Sequence, residues 1–207
     1  MAAGRLGRVA AETQTLVVAD AHGWRDWLDA HHAESPGVWL VLAKRGTAVP
    51  TSLTYDEALD EALCVGWIDG QTRTLDDRTY LRRFTPRKPR SVWSKRNVAI
   101  IERLAAEGRM RPAGVAEVER ARADGRWDAA YEGSKNIEVP DDLTVALRSN
   151  PAARAAFERL SRQNRFAILY RIGAAKRPET RTRRIDEFVA MLERGETLYP
   201  QRRLTYE

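Results

Sequence analysis

"WIDGQTRTLDDRTYLRRFTP", residues 67–86, is the stretch whose reading decides the fold. Two runs with strand character, WIDGQTRTL and TYLRRFTP, flank the polar triplet Asp76-Asp77-Arg78, and that pattern predicts an antiparallel hairpin. Side chains two apart share a strand face, so Trp67 and Asp69 point one way and Ile68 the other. On the partner strand Arg82 and Phe84 share one face, and Leu81, Arg83 and Thr85 the other. A carboxylate across from an arginine is either a cross-strand ion pair or a device that aims the arginine at a ligand.

Toward the N-terminus, TLVVA (15–19) is short and β-branched and reads as a strand. The segment 20–35 places Trp24, Trp27, Leu28 and His31 at helical spacing, and Pro36-Gly37 ends it. VWLVLAK (38–44) is a compact apolar run, a buried strand. In 53–66, Thr54 is the expected N-cap with Glu57 three residues on, a capping box, and Gly66 the stop. Toward the C-terminus the period becomes helical. Segments 94–108 and 111–127 predict two helices, the second with Pro112 at its start. Four more are expected over 141–148, 151–160, 162–175 and 179–194, with Asn150-Pro151 as a break and Ser161 as a cap.

The fold class that follows is α+β: a small antiparallel or mixed sheet with packed helices, followed by an all-helical C-terminal module. The expected organisation is a disordered lead over 1–14, an α+β domain over 15–130, a linker over 131–140 and the helical module over 141–200.

With 207 residues, 43% hydrophobic and 31% charged, the chain is long enough to bury a real core. No apolar run is long enough for a membrane span. The N-terminal residues lack the apolar stretch of a signal peptide. Cys64 stands alone, so no internal disulfide and no cysteine metal cluster is expected, and the cytoplasm is the expected compartment. The three histidines, His22, His31 and His32, lie in or beside one helix and do not form a zinc set. No metal and no cofactor is expected.

The net charge of +6 is unevenly spread. Residues 73–96 carry +7 and residues 148–207 carry +7, while the rest of the chain is acidic. Two local patches of this kind attract a phosphate, a carboxylate or a nucleic acid. Within the first patch, YLRRFTPRKPRSVWSKRN (80–97) holds seven basic residues, no acidic one, three aromatics and two prolines. Ser94 sits where a helix N-cap belongs, and Lys95, Arg96 and Asn97 fill the first turn. Cations there oppose the helix dipole, which makes sense beside an anion or a carboxylate such as Asp69. Trp93, just before the cap, is either a hydrophobic staple or a wall for a flat ligand.

Several blocks, TYDEALDEALCVGWIDGQ (54–71), YLRRFTPRKPRSVWSKRN (80–97), GRMRPAGVAEVERARADGRW (108–127) and AKRPETRTRRIDEFVAMLERGETLYP (175–200), resemble the YdeI/OmpD-associated, or bacteriocin-protection, family. The resemblance runs from about residue 15 to 200. It implies a link to tolerance of antimicrobial peptides and envelope stress, and it implies no settled reaction or catalytic set.

The residues themselves point to a concave site that binds an anion, formed by Trp67, Asp69, Arg82, Phe84, Trp93, Ser94, Lys95 and Asn97. The expected function is capture of a small anionic or aromatic molecule. An enzyme acting on such a molecule in the same cleft, and a regulator that contacts nucleic acid through the basic helical tail, stand as alternatives. No nucleophile motif, P-loop or dinucleotide fingerprint is present.

Overall fold

The computed structural model describes residues 14–133 and 137–201. The expected lead over 1–14 lies, but for Gln14, outside the described residues. The chain forms two compact units, one up to Ala130 and one from Tyr131 on.

The first unit runs β1 (Thr15–Leu16), α1 (Ala21–His31), β2 (Val38–Ala43), α2 (Tyr55–Cys64), β3 (Trp67–Thr74), β4 (Thr79–Pro86), α3 (Lys95–Ala106), α4 (Pro112–Ala123). The sheet is mixed, in the order β1-β2-β4-β3, with β1 parallel to β2 and the other neighbours antiparallel. The hairpin forms as its pattern dictates. The Asp76 carboxylate accepts from the N–H groups of Arg78 at 2.8 Å and Thr79 at 2.7 Å, which closes the turn through the side chain.

Register assigns the faces. Val38 pairs with Phe84, Leu40 with Arg82 and Leu42 with Tyr80; Asp69 also pairs with Phe84, and Trp67 with Pro86. Partners in register share a face, so all these side chains point to the same side of the sheet. A bulge between Asp69 and Thr72 then brings Thr72 opposite Arg82 on that side as well.

Helix α1 lies on this face because its apolar stripe is aromatic. Trp24 is fully buried, with its ring centroid 5.7 Å from Phe84 and 6.3 Å from Trp67. Trp27 stacks on Trp24 at 5.3 Å. Both buried indoles find acceptors: Trp24 Nε1 donates to the Ala58 carbonyl and Trp67 Nε1 to the His32 carbonyl, each at 3.1 Å. Helix α2 carries the predicted capping box, with Glu57 accepting from the Thr54 N–H at 2.9 Å. Helix α4 approaches α2 closely at Gly114, where a Cβ would stand 2.2 Å from the Cys64 carbonyl oxygen. Helix α4 ends at Ala123, earlier than the pattern suggested, and Trp127 follows it, packing 5.1 Å from Trp93.

The second unit contains α5 (Asp141–Arg148), α6 (Pro151–Glu158), α7 (Arg162–Gly173) and α8 (Pro178–Glu193). Asn150 caps α6 through the Ala153 N–H at 3.0 Å, and Ser161 caps α7 through the Asn164 N–H at 3.2 Å. Leu143, Leu147, Phe157, Ile168, Ile172 and Phe188 belong to a core separate from that of the first unit. The segment read as a linker contributes to it: Ile137 and Val139 pack against this core. Asn164 is completely buried and holds the chain end, donating to the Tyr199 carbonyl at 2.9 Å and accepting from the Tyr199 N–H at 2.8 Å.

Two outcomes test this architecture. Gly114→Ala forces a backbone collision, and overpacking of this kind costs about 1–3 kcal/mol. Gly173→Ala, with nothing within 4 Å of its Cβ position, is expected to be neutral or stabilising. Chemical denaturation that ranks the two equally would sink this account of the α2–α4 approach. In the second unit Arg181 bonds Asp142 at 2.5 Å and holds its carboxyl below the ordinary carboxylate range. A depressed folded pKa contributes stability above the unfolded value of about 4 and loses it as pH falls through the folded one. The gap in melting temperature between wild type and Arg181→Ala should therefore narrow on acidification from about pH 6 to about pH 3.

Candidate functional site

In the first unit the polar groups of the hairpin converge on Asp69. Its Oδ2 accepts from the Tyr55 hydroxyl at 3.0 Å and from Arg82 Nε at 3.0 Å, and Arg82 Nη2 closes the ion pair. Arg82 Nη1 donates to Thr72 Oγ1. The Tyr55 ring lies between two guanidinium groups, with Arg82 at 5.0 Å and Arg96 at 5.2 Å from its centroid. Arg96 in turn bonds Asp56 at 2.8 Å. Strand pairing sets Arg82 near Asp69, the Thr54 cap places Tyr55 at the head of α2, and the Ser94 cap places Arg96 at the head of α3.

This set is balanced in charge, two arginines against two aspartates. Burial, and next the Asp69 carboxylate, push the Tyr55 phenol above its usual pKa, so it stays protonated. A protonated phenol bonded to an already committed carboxylate is no general base. The arrangement is a crosslink between strand, hairpin and two helix heads.

The other expected site residues fall elsewhere. Trp67, Phe84 and Trp93 are at most 1% exposed and belong to the core. The reason is the size of the sheet: four short strands need large side chains to fill the space under α1 and α2, and these aromatics fill it. Trp93 packs against Trp127, and Arg87 lies 3.5 Å over its ring. Ser94 caps α3 by accepting from the Asn97 N–H at 3.2 Å, and Asn97 is 9% exposed. Lys95 occupies the first turn of α3. Among the eight expected residues, the structure bonds Asp69 with Arg82 and Ser94 with Asn97.

A second network, unforeseen in the sequence, surrounds Glu61. This carboxylate, with 5% side-chain exposure, accepts from Arg25 at 2.9 and 2.6 Å and from Arg109 at 2.7 Å. A buried carboxylate needs such partners, and here they tie α1 and the end of α3 to α2. Burial and the nearby Glu61 charge push the Cys64 thiol up to about 11, which leaves it an inert packing residue.

The second unit holds a cleft of about 360 Å³. Leu147 and Phe157, 5% and 4% exposed, form its apolar floor with Val139. Arg148 from the end of α5, Arg154 from α6 and Arg165 from α7 stand around it. Arg154 Nε bonds Glu158 at 3.0 Å, while Arg165 lies 4.8 Å over the Phe157 ring. Among the described residues neither Arg148 nor Arg165 has an ion-pair partner. One signal of this was legible: neither arginine has an acidic residue three or four positions away, where a helix would supply a partner. Their convergence was not legible, because it depends on how three helices cross.

The class defined by these observations is a two-unit α+β protein whose helical C-terminal unit carries a small cationic cleft. Residues 136–195, within the C-terminal unit, match the family described as "Bacteriocin-protection, YdeI or OmpD-Associated". Residues 16–117 match a different description, "Domain of unknown function (DUF8412)", and the hairpin blocks that suggested the family fall within this N-terminal match. No curated protein and no solved structure matches the chain. Among the described residues, no helix is long and apolar enough to cross a membrane.

The crosslink reading of the hairpin has a measurable consequence. Arg82→Ala leaves Asp69, at 14% side-chain exposure, without its cation and should cost about 1–3 kcal/mol. Arg96→Ala breaks a pair that is 52% and 81% exposed and should cost within about 1 kcal/mol. Urea titration of both variants gives the comparison, and equal losses would contradict it.

Proposed function

We propose that this is a binding protein of the bacteriocin-protection class that captures a small organic anion in the cleft of its C-terminal unit and works in the cytoplasm. One observation carries the reading: among the described residues Arg148 and Arg165 stand without carboxylate partners beside an apolar floor, inside the segment that matches the bacteriocin-protection family. In the hairpin cluster, by contrast, arginines and aspartates already neutralise one another. Arg165 is half-buried, so an anion gains more beside it than at an open surface. Among the described residues that line the cleft there is no histidine, cysteine, lysine or serine to act as nucleophile or base, which favours capture over turnover. A lone buried Cys64 agrees with a reducing compartment.

Nucleic-acid contact by the basic helices is the second reading, favoured by the exposed Lys176 and Arg177 between α7 and α8. Calorimetric titration with benzoate separates the two. Benzoate affinity should fall about tenfold, which is about 1.4 kcal/mol, in Arg148→Ala and in Arg165→Ala. It should stay within about twofold in Arg82→Ala, which lies in the other unit. Loss only in Arg82→Ala would return the site to the hairpin. Absence of benzoate binding together with tight, steeply salt-dependent binding of duplex DNA would favour the second reading.

A further inference from the structure

We infer that the cleft selects an amphipathic organic anion, one carboxylate on an apolar body, over inorganic oxyanions, and that Glu158 sets this selectivity. The inference rests on the proposal that the cleft binds anions. It adds what the ligand must look like and which residue excludes the rest.

Volume and lining come first. At about 360 Å³ the cleft lies within the range of small-molecule sites, and an inorganic oxyanion would fill only a small part of it. The remainder would be water against Leu147, Phe157 and Val139, none of which bonds water. A ligand with an apolar body displaces that water.

Arg165 supplies the head-group contact. Its guanidinium lies over the face of the Phe157 ring at 4.8 Å. A guanidinium next to an aromatic ring keeps its N–H donors, the fork that matches a carboxylate. Arg148, without an ion-pair partner among the described residues, supplies a second cation at the same cleft. The Thr144 hydroxyl donates to the Pro140 carbonyl at 3.2 Å, so its oxygen remains an acceptor for a donor on the ligand body.

Glu158 provides the discrimination. Among the described residues it is the only acidic one lining the cleft, and it bonds Arg154, four residues earlier on α6, with Nε at 3.0 Å. Coulombic energies scale with ligand charge, so the arginines pull harder on a dianion. Glu158 takes back from a dianion about twice what it takes from a monoanion at the same place, which narrows that preference and lets apolar contact decide. A monocarboxylate offsets this with apolar contact, and sulfate has none to offer.

The experiment titrates the full chain calorimetrically with three probes: 3-phenylpropionate, 3-phenylpropan-1-ol, which has the body without the charge, and sulfate, which has the charge without the body. We expect 3-phenylpropionate to bind at least about tenfold more tightly than either of the others. Arg148→Gln should weaken it about tenfold, and Glu158→Gln should strengthen sulfate binding more than 3-phenylpropionate binding. Both substitutions fall on exposed helical positions, so folding is not at stake. Sulfate binding as tightly as 3-phenylpropionate would overturn the inference and leave anion capture standing. The alcohol binding as tightly as the acid would overturn it as well, because charge would then contribute nothing. If Glu158→Gln changes neither anion's affinity, the selectivity role assigned to Glu158 is wrong. If no probe binds, the underlying proposal itself fails.

Discussion

The N-terminal unit depends on one packing event: the indole of Trp24 set between Phe84 and Trp67. That contact joins α1 to both strands of the hairpin, and it is dry, with the two indole N–H groups satisfied by backbone carbonyls. Burying large aromatic rings contributes several kcal/mol of the roughly 5–15 kcal/mol by which a domain is stable. The capping box of α2, the close α2–α4 approach at Gly114 and the Glu61 ion pairs all build outward from the surface that these rings create.

The two units treat charge differently. In the first, the basic strip is absorbed: Arg82 by Asp69 and Thr72, and Arg96 by Asp56, while Arg87 lies over the Trp93 ring. Acidic side chains on α2 meet basic ones on α3, and Asp69 meets Arg82 within the hairpin, so part of the local excess seen along the chain is cancelled in space. In the second, Asp142 and Glu158 neutralise single arginines, and two others are left beside an apolar floor. An unpaired cation on a surface is common, whereas two beside a common concavity are what the proposed anion capture rests on.

The chemistry of the proposed function is recognition. In the hairpin cluster burial keeps the Tyr55 phenol protonated, and Asp69 Oδ2 accepts from both Tyr55 and Arg82. The cleft offers guanidinium groups, which bind oxyanions through fixed forks and do not exchange protons at neutral pH. Both facts agree with a protein that holds a molecule.

Much of the architecture was legible in the chain because it is local. Alternation over 67–86, the Thr54-to-Glu57 spacing, Ser94 and Ser161 before helical runs and Pro112 at a helix start each act within one turn or one hairpin, and each appears where the pattern puts it. The faces of the hairpin followed from its period of two, which set Asp69 and Arg82 on the same side. What no local rule reveals is which side of that sheet is covered and which cations find partners in space. Trp67, Phe84 and Trp93 stand among charges in the chain and looked like ligand walls, yet the helices packed over them make them core. Arg148 and Arg165 looked like ordinary solvated residues, yet the crossing of α5, α6 and α7 brings them to one cleft. Burial and electrostatic pairing are sums over neighbours distant in sequence, so the tertiary structure alone decided them.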